Sequence, residues 1–365
     1  MRLSFYFARR FLASFLLVFA VFLTILLMID MVEQIRKFAG AGVSLGQAAE
    51  LAALVMPQNL YRILPLITIL ATLILFLGLA RTSELVVTRA AGRSALMSLV
   101  APVAMALVLG VLAVALFNPI VAATSRQYEF RANQYARGDT STLSIGSEGL
   151  WLRQGGADGQ TVIRATRANL DGTSLYGVTF ISFAADGTPT RRIEASEAVL
   201  TDGAWMLQAA KEWPLQGSAN PERGAALHGG LTVATDLTRD QIRDSFGKPS
   251  AIPIWELPAF ISQLTRAGFS ARQHRVWLQM ELALPLMMAA MVLVGAGFTM
   301  RHTRFGRTGM MVLLALLAGF AIFFLRNFAQ VLGNNGQIPV ILAAWSPPVA
   351  ATLLSLGFLL HLEDG

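Results

Sequence analysis

The chain has 365 residues, of which 55% are hydrophobic and only 14% are charged. Soluble domains carry about 25% charged residues, so this composition excludes an ordinary soluble protein and indicates a membrane protein. The net charge of +7 comes almost entirely from arginine, and in so apolar a chain it points to membrane topology and lipid headgroups rather than to nucleic acid. There is no cysteine, which excludes disulfides and thiolate chemistry.

Six apolar segments are each long enough to cross a bilayer. Each has about twenty mostly apolar residues, which as a helix cover about 30 Å. The first follows a cluster of arginines and lacks the small-residue cleavage site of a signal peptide, so we expect it to be an uncleaved span. The predicted spans are residues 11–31, 60–80, 96–117, 277–300, 310–329 and 339–360.

The polar stretch between the third and fourth spans has the pattern of a β domain. Short runs alternate partly, with Val178 and Phe180 on one face and Thr179 on the other, and Asp-Gly or Gly-Gly turn signals separate the runs. Several short strands at this spacing favour a sandwich or jelly roll. The predicted strands are residues 142–153, 161–168, 176–183, 191–199, 205–209 and 227–237.

The predicted fold is therefore an α-helical membrane protein with six transmembrane helices, arranged 3+3, and an inserted all-β jellyroll-like domain. Residues 1–123 are expected to hold the first three spans, and residues 124–250 the β domain. Residues 251–365 are expected to hold an amphipathic connector and the last three spans. The connector, 253–276, is predicted to lie on the membrane before the fourth span.

The arginines and lysines of the short loops are unequally divided between the two sides of the membrane. Because positively charged loops stay in the cytoplasm, the richer side, which contains both termini, is predicted to be cytoplasmic and the middle domain to lie outside the cytoplasm. The richer side has Arg2, Arg9, Arg10, Arg81, Arg89, Arg93, Arg301, Arg304 and Arg307, and the other side has Arg36, Lys37, Arg62 and Arg326.

A short segment, 81–94, separates the second span from the third and is too polar to cross the membrane. Thr82 or Ser83 suits the start of a helix, Glu84 suits the positive end of its dipole, and Gly92 suits its end. We expect about ten residues of exposed helix, which needs a surface to pack on. It is either an interfacial helix held by its own membrane domain or a docking helix for a cytoplasmic partner.

The sequence lacks the motifs of common catalytic and nucleotide-binding sites. There is no Gly-rich loop ending in Gly-Lys-Ser/Thr, no His-Glu-x-x-His and no Gly-x-Ser-x-Gly, and the four histidines are scattered. We therefore expect no catalytic, cofactor or metal site in this chain.

Several charged residues fall at the predicted non-cytoplasmic ends of the spans, where topology would leave few cations. Because arginine and lysine pair strongly with phosphate oxygens, these cations together suggest a phosphate-bearing lipid headgroup. Snorkelling of long side chains to the interface is the alternative for each of them. They are Arg36, Lys37, Arg62 and Arg326, with Arg272 and Arg275 at the start of the fourth span. Two acids in the same region, Asp30 and Glu33, have no assigned role.

Residues 83–92 read Ser-Glu-Leu-Val-Val-Thr-Arg-Ala-Ala-Gly, and this pattern resembles the coupling segment of the lipopolysaccharide-export permeases, the LptF/LptG family. The arrangement of three spans, a periplasmic β domain with Gly-Leu-Trp at 149–151, and three more spans is similar as well. Residues 31–37, 264–271 and 336–339 resemble the LptG branch more than the LptF branch. The resemblance covers essentially the whole chain.

This resemblance implies a permease subunit without catalytic residues, in the inner membrane of a Gram-negative cell. The implied partners are lipopolysaccharide, a paralogous LptF-like permease, a cytoplasmic LptB-like ATPase dimer and a single-span LptC-like bridge protein. ATP hydrolysis in the ATPase would close a cavity between the permeases, lined by the first and fifth spans. Lipopolysaccharide would then leave the outer leaflet towards a periplasmic bridge.

The resemblance also assigns roles to individual residues. It implies that the segment 81–94 couples the permease to the ATPase, with Glu84 as the main contact. The candidate coupling residues are Ser83, Glu84, Leu85, Arg89 and Gly92. The residues expected to bind the lipid A phosphates are Arg36 and Lys37. Asp30 stands where the family often has a basic residue, and an acid there would repel a phosphate at short range. It would pair instead with a neighbouring arginine or a differently decorated lipid.

Two other functions stay open at this stage. One is a non-transport membrane anchor whose β domain binds a periplasmic protein or glycan. The other is the LptF-type subunit of the same transporter, since the two paralogues share their topology. A lipid-modifying membrane enzyme is disfavoured because the catalytic constellation is missing.

Overall fold

The computed structural model describes residues 2–39, 43–90, 92, 94–136, 143–146, 149–156, 159–169, 172–184, 186–216, 220–235, 237–238, 248–266, 270–300 and 308–364. The chain forms two compact units. The helical unit comprises residues 1–132, 250–255 and 272–365, and the sheet unit comprises residues 133–249 and 256–271.

Within the described residues, six helices are long and apolar enough to cross a membrane, which confirms the six predicted spans. The helices are α1 (Arg2–Lys37), α2 (Leu45–Arg62), α3 (Leu64–Arg81), α4 (Glu84–Ala90), α5 (Ala95–Leu112), α6 (Asn118–Ala136), α7 (Leu257–Arg266), α8 (Arg272–Thr299), α9 (Thr308–Asn334) and α10 (Val340–Asp364). The spans are α1, α3, α5 continued by α6, α8, α9 and α10.

Two spans continue well beyond their predicted apolar segments: the first, which runs over Arg2–Lys37 instead of 11–31, and the third. α5 passes through one turn of π-helix, Ala113–Phe117, directly into α6, so the third span does not end at residue 117 as predicted. At 1.5 Å per residue this run is about 60 Å long, roughly twice the thickness of the hydrocarbon core. Hydropathy marks where a span leaves the membrane, but the polar residues that follow in α6 continue the helix.

α8 is the central helix of the helical unit. Of the 18 most apolar consecutive residues of α8, 78% are buried within the protein. For the corresponding stretches of α1 and α9 the share is 11%. Small residues allow close approach in the membrane, where packing rather than hydrophobicity holds helices together. Gly110 of α5 lies directly against the backbone of Pro285 in α8, and Gly295 of α8 lies against Thr72 of α3.

Among the described residues, the sheet unit has seven antiparallel strands, which confirms an inserted all-β domain. They are β1 (Leu143–Gly146), β2 (Gly149–Gly156), β3 (Gly159–Ala168), β4 (Ser174–Ala184), β5 (Pro189–Thr201), β6 (Ala204–Pro214) and β7 (Ala226–Ala234). Each strand pairs with its neighbours in sequence, in the order β1 to β7. The described strands therefore form one meander. They lack the Greek-key crossovers that the strands of a jelly roll have. The single strand predicted over 142–153 is divided into β1 and β2.

One face of the sheet is buried. Val178 and Phe180 are buried as their alternation predicts, and Phe180 packs edge-on against Trp205. The connector differs from its prediction, because in α7 Leu264 is fully buried in the core of the sheet unit and Phe260 packs against that core. The apolar face of α7 is therefore used by the sheet, and the expectation that it lies on the membrane was wrong.

The contact between α5 and α8 gives a stability prediction. A Cβ added at Gly110 would lie 2.5 Å from Cα of Pro285, which is backbone and cannot rotate away. We expect Gly110→Ala to lower the stability of the protein by about 1–3 kcal/mol, measured as a lower melting temperature in detergent. The matched control is Gly78→Ala in α3, where nothing lies within 4 Å. Equal melting temperatures for the two variants would contradict this helix contact.

Candidate functional site

The predicted coupling segment contains α4, and the described part of this helix has seven residues where about ten are expected. Gly92 has a φ of +77°, the left-handed conformation that suits the end of a helical segment. Ser83 also has a positive φ, +56°, which is uncommon for a residue other than glycine. The backbone N–H of Thr82 donates to the Gly78 carbonyl at 3.1 Å, so Thr82 closes α3.

Glu84 is held by three donors from its own chain. Tyr6 Oη donates to its Oε2 at 2.8 Å, while Arg10 Nη1 at 2.9 Å and Thr82 Oγ1 at 2.8 Å donate to its Oε1. Partial burial raises the pKa of the Glu84 carboxyl, but the hydrogen bonds and the charge of Arg10 outweigh it, so the pKa is lower than its ordinary value. The contact is therefore kept at neutral pH and is lost as the pH falls through the lowered pKa.

The contact between Glu84 and α1 was not predicted from the sequence. It joins residues more than seventy positions apart, so only the fold reveals it. The Glu84 side chain is still 31% exposed, and Ser83 and Gly92 are exposed. The side chains of Leu85 and Arg89, the remaining coupling candidates, lie outside the described residues.

The other candidates lie at the insertion end of the helical unit, which we define as the end where the chain leaves for the sheet unit and returns from it. Lys37, the last residue of α1, donates from Nζ to Tyr128 Oη of α6 at 3.1 Å, and its ammonium group lies 5.4 Å and 5.5 Å from the ring centres of Phe38 and Tyr128. Tyr128 donates in turn to Gln34 Oε1 at 3.1 Å. The partners of Lys37 are neutral, so its charge is held in place without being neutralised.

The acids near Lys37 have different environments. Asp30 is only 3% exposed, and its Oδ1 accepts a hydrogen bond of 2.8 Å from Asn59 of α2. Its partner is thus a neutral amide rather than an arginine. Glu33 and Arg36 are exposed, and the structure gives them no polar partner among the described residues.

A second group surrounds Glu281, a fully buried residue of α8 that is 1% exposed. Tyr61 of α2 donates a short hydrogen bond to its Oε2, and Asn118 Nδ2 donates to the same oxygen at 3.2 Å. Arg326 of α9 is half-buried and interacts electrostatically with Glu281, and Arg62 interacts with Arg326 in turn. The structure therefore brings Arg62 and Arg326 together.

Arg272 has a structural role. Its Nε and Nη2 donate to the carbonyls of Gly333 and Ile338, both at 2.7 Å, and so close the end of α9. These two hydrogen bonds use two of the five N–H donors of the guanidinium and tie Arg272 to the end of α9.

Three residues of the Glu281 group were missed in the sequence: Glu281, Tyr61 and Asn118. Glu281 had a readable signal, because an ionisable residue within a transmembrane segment is rare and marks a polar interaction. Tyr61 and Asn118 had none, since uncharged polar residues are common near the ends of spans. No cluster of three or more metal-binding side chains occurs in the portion of the chain that is described.

Comparison with known proteins identifies the family. The model of the lipopolysaccharide export system permease LptF/LptG matches residues 5–361. The chain is 25% identical over 343 residues to the lipopolysaccharide export system permease protein LptG of Escherichia coli K12, covering 91% of each chain. It is 24% identical over 324 residues to LptG of Haemophilus influenzae, covering 87% of each. The chain therefore belongs to the LptF/LptG family of lipopolysaccharide export permeases and is a multi-pass, non-catalytic subunit in the inner membrane.

Proposed function

We propose that this chain is the LptG-type permease subunit of an ATP-driven transporter. The transporter extracts lipopolysaccharide from the outer leaflet of the inner membrane and passes it to a periplasmic bridge towards the outer membrane. One observation carries this proposal: the similarity to proteins named LptG extends over 91% of both chains and so includes the spans and the sheet unit. A membrane anchor without transport would not need the complete permease.

The proposed orientation places both termini and α4 in the cytoplasm and the sheet unit in the periplasm. The unequal distribution of arginine in the short loops supports this orientation. It places Lys37, Arg62 and Arg326 at the outer leaflet, where lipopolysaccharide is found.

The proposed partners are an LptF-like permease, an LptB-like ATPase dimer and a single-span LptC-like protein. α1 and α9 are the spans with the smallest buried share, and both have large exposed apolar side chains. Examples are Leu17 and Met28 on α1, and Phe320 and Phe324 on α9. Faces of this kind suit a second permease or lipid tails, and we assign them to the border of the lipid cavity.

Energy from the ATPase is proposed to enter through the segment 81–94. The contacts of Glu84 with Tyr6 and Arg10 support this route, because they connect α4 to α1. A displacement of α4 on a docked ATPase would therefore move the first span as well. Since α1 runs from Tyr6 to Lys37 as one helix, the movement would reach the proposed lipid site.

The lipid phosphates are proposed to bind Arg36, Lys37, Arg62 and Arg326. Arg36 is exposed, and Lys37 has neutral partners. Arg326 interacts electrostatically with the Glu281 carboxylate and Arg62 is exposed, and these four cations outnumber the three acids described above, Asp30, Glu33 and Glu281. The region thus keeps a surplus of positive charge, which suits a headgroup that carries phosphates.

The direct test of this function is purification of the chain from its native membrane in mild detergent, followed by mass spectrometry of bound proteins and lipids. We expect an ATPase, a second six-span permease and lipopolysaccharide in one particle. A particle with two copies of this chain and ordinary phospholipid would refute the export function and favour the membrane anchor.

The coupling role of Glu84 gives a separate prediction. Glu84→Ala removes the acceptor that joins α4 to α1, so we expect the complex to keep most of its ATPase activity and to lose about tenfold in lipopolysaccharide release in proteoliposomes. Asp202→Ala, an exposed acid in the sheet unit, is the matched control and should retain both activities. Normal release by the Glu84→Ala complex would count against the coupling role.

A further inference from the structure

Glu281 is the most deeply buried acid among the described residues of the helical unit, and the proposed function has no role for it. It lies two and a half turns into α8 and is 1% exposed. Its Oε2 accepts hydrogen bonds from Tyr61 and Asn118, but its Oε1 has no hydrogen-bond partner among the described residues. A buried carboxylate with one oxygen that lacks a hydrogen-bond donor destabilises the fold unless a positive charge compensates for it.

Arg326 supplies that positive charge. Gly333 of α9 lies against Val276 of α8, and the two helices run antiparallel, so Arg326, two turns before Gly333, lies near the level of Glu281. Arg326 interacts electrostatically with Glu281 and with Tyr61, and the described side chains form no direct ion pair between Arg326 and Glu281. Arg62 stands next to Tyr61 at the end of α2 and repels Arg326. Arg326 is thus attracted by Glu281 and repelled by Arg62, and the carboxylate compensates for Arg326 alone.

The position of Glu281 is fixed more firmly than that of Arg326. Asn118, which follows the π-helical turn, donates to Glu281 with its amide and accepts the backbone N–H of Ile254 at 2.9 Å. Tyr61 is also buried and holds the same carboxylate. Arg326 is half-buried and has no hydrogen bond of its own in the described structure. The carboxylate is therefore anchored, and the arginine is the partner that can turn to another anion.

We propose that Glu281 is a positioning residue that acts through Arg326 and limits how tightly Arg326 and Arg62 hold a phosphate-bearing lipid headgroup. This inference rests on the proposed function. When a headgroup binds, Arg326 is shared between the phosphate and Glu281, so the phosphate is held less tightly than by two free guanidinium groups. A transporter needs this balance, because a lipid that binds too strongly is not released.

The test measures lipid binding by the purified full-length protein in nanodiscs of phosphatidylcholine. The ligands are bisphosphorylated lipid A and the same lipid with its phosphates removed. Glu281→Gln keeps the shape and an acceptor for Tyr61 but removes the charge. Removal of the negative charge that competes with the phosphate for Arg326 should tighten binding of the phosphorylated lipid about fivefold. Binding of the dephosphorylated lipid should not change.

The decisive control is the same substitution in an Arg326→Gln background. There Glu281→Gln should leave phosphorylated-lipid binding unchanged, because the residue through which Glu281 acts is gone. Glu281→Asp keeps the charge but shortens the side chain by one methylene, which moves the carboxylate away from Arg326. This variant should bind the phosphorylated lipid about twofold more tightly. This variant serves if Glu281→Gln does not fold.

Three results would overturn the inference: no tightening in a folded variant, equal tightening for both lipids, or equal tightening without Arg326. A purely structural role for Glu281 would produce one of these. Failure of the proposed function would look different, since wild-type protein and Arg36→Gln/Lys37→Gln would then bind both lipids equally. If phosphatidylglycerol in the nanodisc competes with lipid A, the ligand class widens to anionic lipids while the dependence on Arg326 still supports the role of Glu281.

Discussion

The structure of the helical unit depends on one constraint: within a membrane, a polar group must find its partner in the protein. Backbone groups meet this requirement in helices. The polar side chains near the insertion end meet it by pairing across helices, Asp30 with Asn59 and Glu281 with Tyr61 and Asn118. Each pairing requires a specific partner at a specific depth in the membrane, so these contacts fix how α1, α2, α6 and α8 align.

α2 has an important structural role although it is not one of the spans. Its last turn provides Asn59 to α1, Tyr61 to α8 and Arg62 to the vicinity of Arg326 on α9. α2 therefore joins α1 to α8 by hydrogen bonds and places Arg62 near α9. At the opposite end of α1, Tyr6 and Arg10 connect the same helix to α4. We therefore regard α1 as the mechanical link between the proposed ATPase contact and the proposed lipid contact.

The sequence predicted those features that depend on local composition. Six spans, the inserted β domain and the inward positions of Val178 and Phe180 followed from hydropathy and alternation, and the family followed from its motifs. The strand order was not predictable, because short alternating strands fit several topologies. α7 was misplaced because an amphipathic helix has the same pattern whether its apolar face meets lipid or a protein core.

The partners of individual polar residues were also beyond the sequence. Glu84 was read as a surface residue for a partner, and its contact with Arg10 depends on residues 74 positions apart. Arg272 and Arg326 are both arginines at the insertion end, yet one closes a helix and the other has no hydrogen bond in the described structure. Residue type and depth do not distinguish them, and only the fold shows which of them is tied to the end of a helix.

The central claim is that a partner ATPase at α4 drives the movement of lipopolysaccharide at the far end of α1. The most direct measurement is photocrosslinking from two valines that are each 67% exposed, Val32 near the end of α1 and Val87 in α4. With a photoreactive residue at each position, we predict that position 32 crosslinks to lipopolysaccharide and that the crosslink decreases when the complex hydrolyses ATP. Position 87 should crosslink to the ATPase. Lipopolysaccharide at both positions, or a crosslink at position 32 that ATP hydrolysis does not change, would contradict this account.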